Sequence, residues 1–221
     1  MIYRVQLVKG LLHPRRSLEQ LEHAEKLKGL WGRIFLVVFL STLIYFLGGL
    51  LGFQSESVST YLPKSGTLLF EHEKMLFAAG QAIWGFLFPL LIIFLPSLVF
   101  WTFLEVDFSK LFTLQSMVYV IYLIEYVLLI LFNIALAIPR DSSPFSLGVI
   151  AQYISENEIV TSFFSFVTLF QVWAITLQYR FLKRVSSKQP TVVLTYVGVV
   201  ALAMWLFSAL FTSIHIDRLF Q

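Results

Sequence analysis

Long apolar runs, separated by short polar stretches, dominate the chain from residue 34 onward. A helix needs roughly 20 apolar residues to cross about 30 Å of hydrocarbon. Five segments meet that need and predict five spans, at 34–53, within 75–104 (the crossing part near 80–104), at 111–138, 159–179 and 190–214. A membrane β-barrel would instead show alternating segments of about ten residues. The predicted fold is therefore all-α, a polytopic five-helix transmembrane bundle occupying residues 34–214. A leading segment, 1–33, and a short tail, 215–221, lie outside it.

Composition supports a nonaqueous solvent. Charged residues make up 13% of the chain, against about 25% in soluble domains, and the mean hydropathy is +0.81. The net charge of +3 does not point to nucleic acid, because the basic residues cluster at the ends of apolar runs, where topology requires them. Twelve of the 16 Lys and Arg residues fall in the leading segment, the loop holding Lys110 and the loop "RFLKRVSSK". This bias predicts a cytoplasmic N terminus and an external C terminus. There is no cysteine, which excludes disulfides, thiolate metal sites and a cysteine nucleophile.

The leading segment is broken by Pro14 and reads as two short amphipathic helices on the inner membrane surface. Ser17 and Gln20 have capping-box spacing, which predicts that the second helix starts after Ser17. Arg15, Arg16, Lys26 and Lys28, with Lys183 and Arg184 from the last basic loop, are the candidate contacts to the membrane surface or to a partner. In the loop 139–158, the apolar positions Leu147, Ile150, Ala151 and Ile154 predict a short helix, too short to span.

The chain carries few motifs that point to chemistry. No H-E-x-x-H, G-x-S-x-G or P-loop sequence is present. The four histidines have no partner at metal-ligand spacing. The chain is expected to be noncatalytic, without metal or cofactor. One residue stands out. Glu125 lies near the middle of the third predicted span, inside "YVIYLIEYVLLILF". An ionised carboxylate there costs on the order of 3 kcal/mol. Protonation or a polar partner removes much of that cost. Tyr122 and Asn133 share its helix, and Gln171 is a polar candidate from the fourth span. Two roles compete, a hydrogen-bonded joint between helices and a proton or ion site of a small transporter or channel. A proton-coupled carrier would usually hold more than one embedded titratable group, so the joint is the simpler reading. Pro89 and Pro96, seven residues apart on one face of the second span, are candidate hinges. A static bend is their simpler role, because proline is common in membrane helices. Gly48 with Gly52, and Ala78 with Ala82, have the spacing of close helix contacts, internal or between copies of the chain.

Three stretches together resemble the Yip family of Ypt-interacting five-span membrane proteins. They are "LLHPRRSLEQL" before the first span, "FLEVDFSKLFTLQSMVYVIYLIEYV" joining the second and third, and "FFSFVTLFQVWAITLQYRFLKRVSSKQPTVVLTYVGVVAL" through the last two. The resemblance covers roughly residues 11–211, rests on arrangement, and carries no functional residue across. Eukaryotic relatives act in Golgi-linked vesicle traffic, usually with a longer soluble N-terminal region. The short leading segment is more similar to bacterial members, some of which accompany ABC exporters. The resemblance thus implies a bacterial cytoplasmic membrane and a role as scaffold or accessory protein. The implied partners are the lipid bilayer and another membrane protein such as an ABC exporter subunit.

Overall fold

In the computed structural model, residues 2–55 and 67–213 are described. The expected tail at 215–221 and most of the loop before the second span lie outside them. The chain runs β1 (Ile2–Arg4), α1 (Leu7–Leu12), α2 (Pro14–Glu22), β2 (Lys26–Lys28), α3 (Leu30–Leu50), α4 (Thr67–Leu104) and α5 (Phe108–Leu136). It continues through a 3-10 turn (Arg140–Ser142), α6 (Gly148–Ile154), α7 (Glu158–Ser165), α8 (Leu169–Val185) and α9 (Pro190–Ser213). Among the described residues, four helices are long and apolar enough to cross a membrane: α3, α4 from Glu71, α5 and α9. Their outward faces are also apolar, with Phe35, Phe39, Leu87, Phe94, Leu131 and Leu202 exposed. A water-soluble monomer rarely shows so much contiguous apolar surface. This is the architecture of a multi-pass membrane protein.

The segment predicted as the fourth span is not one helix. Residues 159–179 divide between α7 and α8, with a break at Phe166–Thr168, and α8 runs on to Val185. The cause is local competition for backbone bonds by hydroxyl side chains. Ser165 Oγ donates to the Ser162 carbonyl, and Thr168 Oγ1 accepts from the Gln171 amide as the N-cap of α8. The strand-like backbone of the break, unpaired within its own helix, is satisfied by the loop before α6. Ser146 and Thr168 form an antiparallel bridge, Leu147 N donates to Val167 O, and Leu169 N donates to Phe145 O. The sequence "TLFQ" carries a capping-box spacing that marks this restart.

α3 and α4 form the most closely apposed pair. Pro89 sits inside α4 and cannot donate to the Gly85 carbonyl one turn back. Ser41 Oγ of α3 fills that vacancy, donating to Gly85 O at 2.6 Å while bonding Tyr119 Oη of α5 at 2.6 Å. One hydroxyl thus ties three helices together. The approach requires Gly85: a β-carbon there would lie 2.6 Å from Tyr45 Cβ and 3.0 Å from the Ser41 carbonyl oxygen. A β-carbon at Gly49 would likewise lie 2.9 Å from the Cα of Ala78. Gly52, by contrast, takes φ +77° in the turn that ends α3, so it serves the turn and not a helix contact. α4 stays one continuous helix through Pro89 and Pro96.

The N-terminal segment folds onto the end of the bundle where α4 ends and α5 begins, here termed the basic end. α2 starts at Pro14, in the N-terminal position that tolerates a missing amide. Ser17 therefore lies inside the helix and is buried, not at its cap. Leu7, Leu11, Leu18 and Leu21 join the main core, so the apolar faces of α1 and α2 turn toward protein. β1 pairs in parallel with β2, Ile2 opposite Lys26. Lys110 Nζ donates to Glu22 O at 2.7 Å, and Arg184 pairs with Glu19 at 3.6 Å. The last loop is fastened by Lys188 to Glu105 and by Ser186 Oγ to Leu104 O.

Gly85→Ala should lower stability in detergent by about 1–3 kcal/mol through overpacking. Gly80→Ala, whose β-carbon meets nothing within 4 Å, should be neutral or stabilising by about 1 kcal/mol. Thermal unfolding of the two variants side by side checks this, and equal melting would rule out the close α3–α4 contact as a stability determinant.

Candidate functional site

α5 and α8 run antiparallel, and their polar side chains meet at two levels. Gln178 Nε2 of α8 donates to Gln115 Oε1 of α5 at 2.9 Å, with both residues buried. Roughly 15 Å further along both helices, the break before α8 brings Thr168 to Glu125. Thr168 and Glu125 border the same small void there, with the Thr168 hydroxyl within interaction range of the Glu125 carboxyl. The hydroxyl oxygen already accepts from the Gln171 amide, so its own proton is free for the carboxyl. Glu125 is therefore held at the N-terminus of α8, the end of a helix that favours negative charge. The Arg140 guanidinium, from the turn after α5, lies within electrostatic reach and sits 4.6 Å from the centroid of the Phe166 ring.

Between these levels a chamber opens among α4, α5, α8 and α9, leaving about 80 Å³ to water-sized molecules. Its polar lining includes Glu125, Gln115, Gln171, Gln178, Tyr122 and Trp205, with Arg140 at one end. Tyr45, Phe88, Ile92, Leu129 and Met204 supply apolar wall. A smaller void of about 20 Å³ adjoins it, bounded by Glu125, Arg140, Ser143, Ser165 and Thr168. Three buried atoms on residues that line the chamber have no protein partner: Gln115 Nε2, Tyr126 Oη and Trp205 Nε1. Such atoms cost about 1–3 kcal/mol each when left unpaired. Buried polar groups without a protein partner are commonly met by ordered water. Water needs about 10–15 Å³ per molecule, so the chamber has room for several.

The predicted site residues separate. Glu125, Tyr122 and Gln171 all line the chamber. Asn133 lies two turns beyond, donating from Nδ2 to Ile138 O where α5 ends. Pro96 lines the chamber beside Ile92, whose carbonyl it deprives of an in-helix donor. Pro89 serves the Ser41 contact instead. The six basic candidates gather at the basic end, all exposed: Arg15 and Arg16 on α2, Lys26 and Lys28 on β2, Lys183 and Arg184 on α8. Arg184 is paired with Glu19, and Lys183 lies over the Tyr179 ring. Thr168, Arg140, Tyr126 and Trp205 are the site residues that the sequence pattern did not single out. Thr168 had a signal in "TLFQ"; the others reach the chamber only through tertiary packing. Among the described residues, no three His, Asp or Glu side chains come together to hold a metal ion.

No known protein family, curated protein or solved structure matches this chain. The chemistry of the site therefore rests on its own residues.

Thr168→Val removes both the helix cap and the hydroxyl beside Glu125 and should cost about 1–3 kcal/mol. Thr168→Ser keeps both and should remain close to wild type. Denaturant or thermal unfolding in mild detergent measures the difference, and indistinguishable variants would show that the Thr168 hydroxyl does not stabilise the break.

Proposed function

We propose that this chain is a noncatalytic multi-pass membrane protein of Yip-like type, a scaffold or accessory subunit of a larger membrane complex. The observation that carries the reading is the unequal burial of the spans. In the most apolar part of α9 only 17% of residues are buried, against 39–44% in the other three long helices. Its outward face bears Thr191, Thr195, Val199, Leu202 and Leu206, which leaves a loosely held helix available to a partner helix. Small and hydroxyl side chains on such a face suit close helix contact in lipid.

The basic end contributes a second contact region. Its folded N-terminal cap presents Arg15, Arg16, Lys26 and Lys28 outward, which suits anionic lipid headgroups or an acidic partner surface. The positive-inside bias favours a cytoplasmic location for this end. In this reading α7, the break and α8 together make the fourth of five crossings, so the C terminus is external. The membrane is the cytoplasmic membrane of a bacterium, and an ABC exporter is the partner that the Yip resemblance implies. A second reading, a small transporter or channel working through Glu125, draws on the chamber; proton or ion flux in vesicles containing the purified protein would favour it.

Photo-crosslinkers placed at Val199 and Leu202 in living cells test the main reading. One defined membrane-protein adduct is expected from both positions, and none from the buried face at Val193 or Val197. Adducts to lipid alone, across growth conditions, would sink the scaffold role.

A further inference from the structure

Three residues that line the chamber carry unpartnered buried polar atoms, and Glu125 lines it with them. Gln115 is fully buried, borders this space, and its Nε2 has no protein acceptor. The space reaches from that amide to Glu125 and on to Arg140, in the half-exposed turn after α5. Toward the basic end the route stops. The Gln115–Gln178 hydrogen bond closes it, and beyond lie Leu111, Leu114, Phe181 and Leu182, each with no exposed surface. An apolar layer of that kind holds no water.

We propose that the chamber is a water-filled, single-ended access route through which Glu125 exchanges protons with the solution on the Arg140 side and not with the basic end. The ligand class is water with its excess proton. A hydronium arriving through the chamber transfers its proton to a carboxylate oxygen of Glu125 and leaves as water, and the reverse step restores the carboxylate. The groups that can influence this exchange are Arg140 from the turn, Tyr122 and Tyr126 from α5, and Tyr45 from α3. α4, α8 and α9 add no titratable or charged side chain to the lining. Thr168 positions the carboxyl and is not consumed. The inference does not depend on the scaffold reading, since a hydrated carboxyl can exist in a scaffold or a carrier alike.

The absence of native cysteine makes the test direct. Single variants Glu125→Cys, Gln115→Cys and Leu111→Cys are prepared in full-length protein in membrane vesicles of known orientation. They are probed with a small, membrane-impermeant anionic methanethiosulfonate, a charge that suits a mouth carrying Arg140. Glu125→Cys and Gln115→Cys should react when the reagent is on the side of α6 and lose that reaction when it is confined to the basic end. Leu111→Cys should react from neither side. Chamber cysteines that stay unreactive in a monodisperse protein, or that react equally from both sides, would overturn the proposal. If the variants fail to fold, infrared spectra of the wild type decide it, with Glu125→Gln assigning the signal. A Glu125 carboxyl band that follows bulk pH and shifts in D2O is expected, and a band indifferent to both refutes access.

Discussion

In hydrocarbon, a backbone amide or carbonyl without a partner has no water to fall back on, and each one costs several kcal/mol. The tertiary structure is arranged around the places where this chain breaks its own helical ladder. At Pro89 the freed Gly85 carbonyl is taken by Ser41, which also holds Tyr119, so a local defect becomes the tie among α3, α4 and α5. At Phe166–Thr168 the ladder stops altogether, and the loop before α6 supplies the missing bonds. Both repairs act between segments remote in sequence, so both also fix how the helices sit against one another.

The second repair has a chemical by-product. Restarting the helix at Thr168 leaves the N-terminus of α8 inside the bundle, next to the Glu125 carboxyl. A continuous fourth span would have carried its N-terminus out to the surface. The break also separates α8 from α7 enough for a polar chamber to open beside α4 and α9. Helix interruptions at membrane depth are tolerated where they are buried in protein or line a hydrated cavity; here Thr168 is buried and Phe166 lines the chamber. Glu125 thus has Thr168 on one side and the chamber on the other. A role as a joint and access to water are therefore compatible.

The apolar pattern of the chain carries part of this arrangement. Length and continuity of apolar runs identify α3, α4, α5 and α9, because solvation by hydrocarbon imposes a pattern on every residue of a span. The same criterion misreads 159–179, since hydropathy averages over a three-residue break whose cause lies in hydroxyl bonding. The leading segment shows the opposite limit. Its apolar positions are legible, but nothing in their spacing says whether they face lipid or protein, and the structure turns Leu18 and Leu21 into the core.

The sequence by itself determined the apolar solvent, the places of four long apolar helices though not the count of spans, and the singular status of Glu125. Each of these is a local or compositional property, set by transfer free energy residue by residue. Only the tertiary structure decided which remote residues join Glu125: Thr168 beside it, Arg140 at the mouth, and Trp205 across a space that Gln115 and Tyr126 of its own helix also line. Thr168 and Trp205 come from helices distant from α5 in the chain. The placement of Thr168 depends on backbone bonds across the break, which no periodicity in the chain encodes.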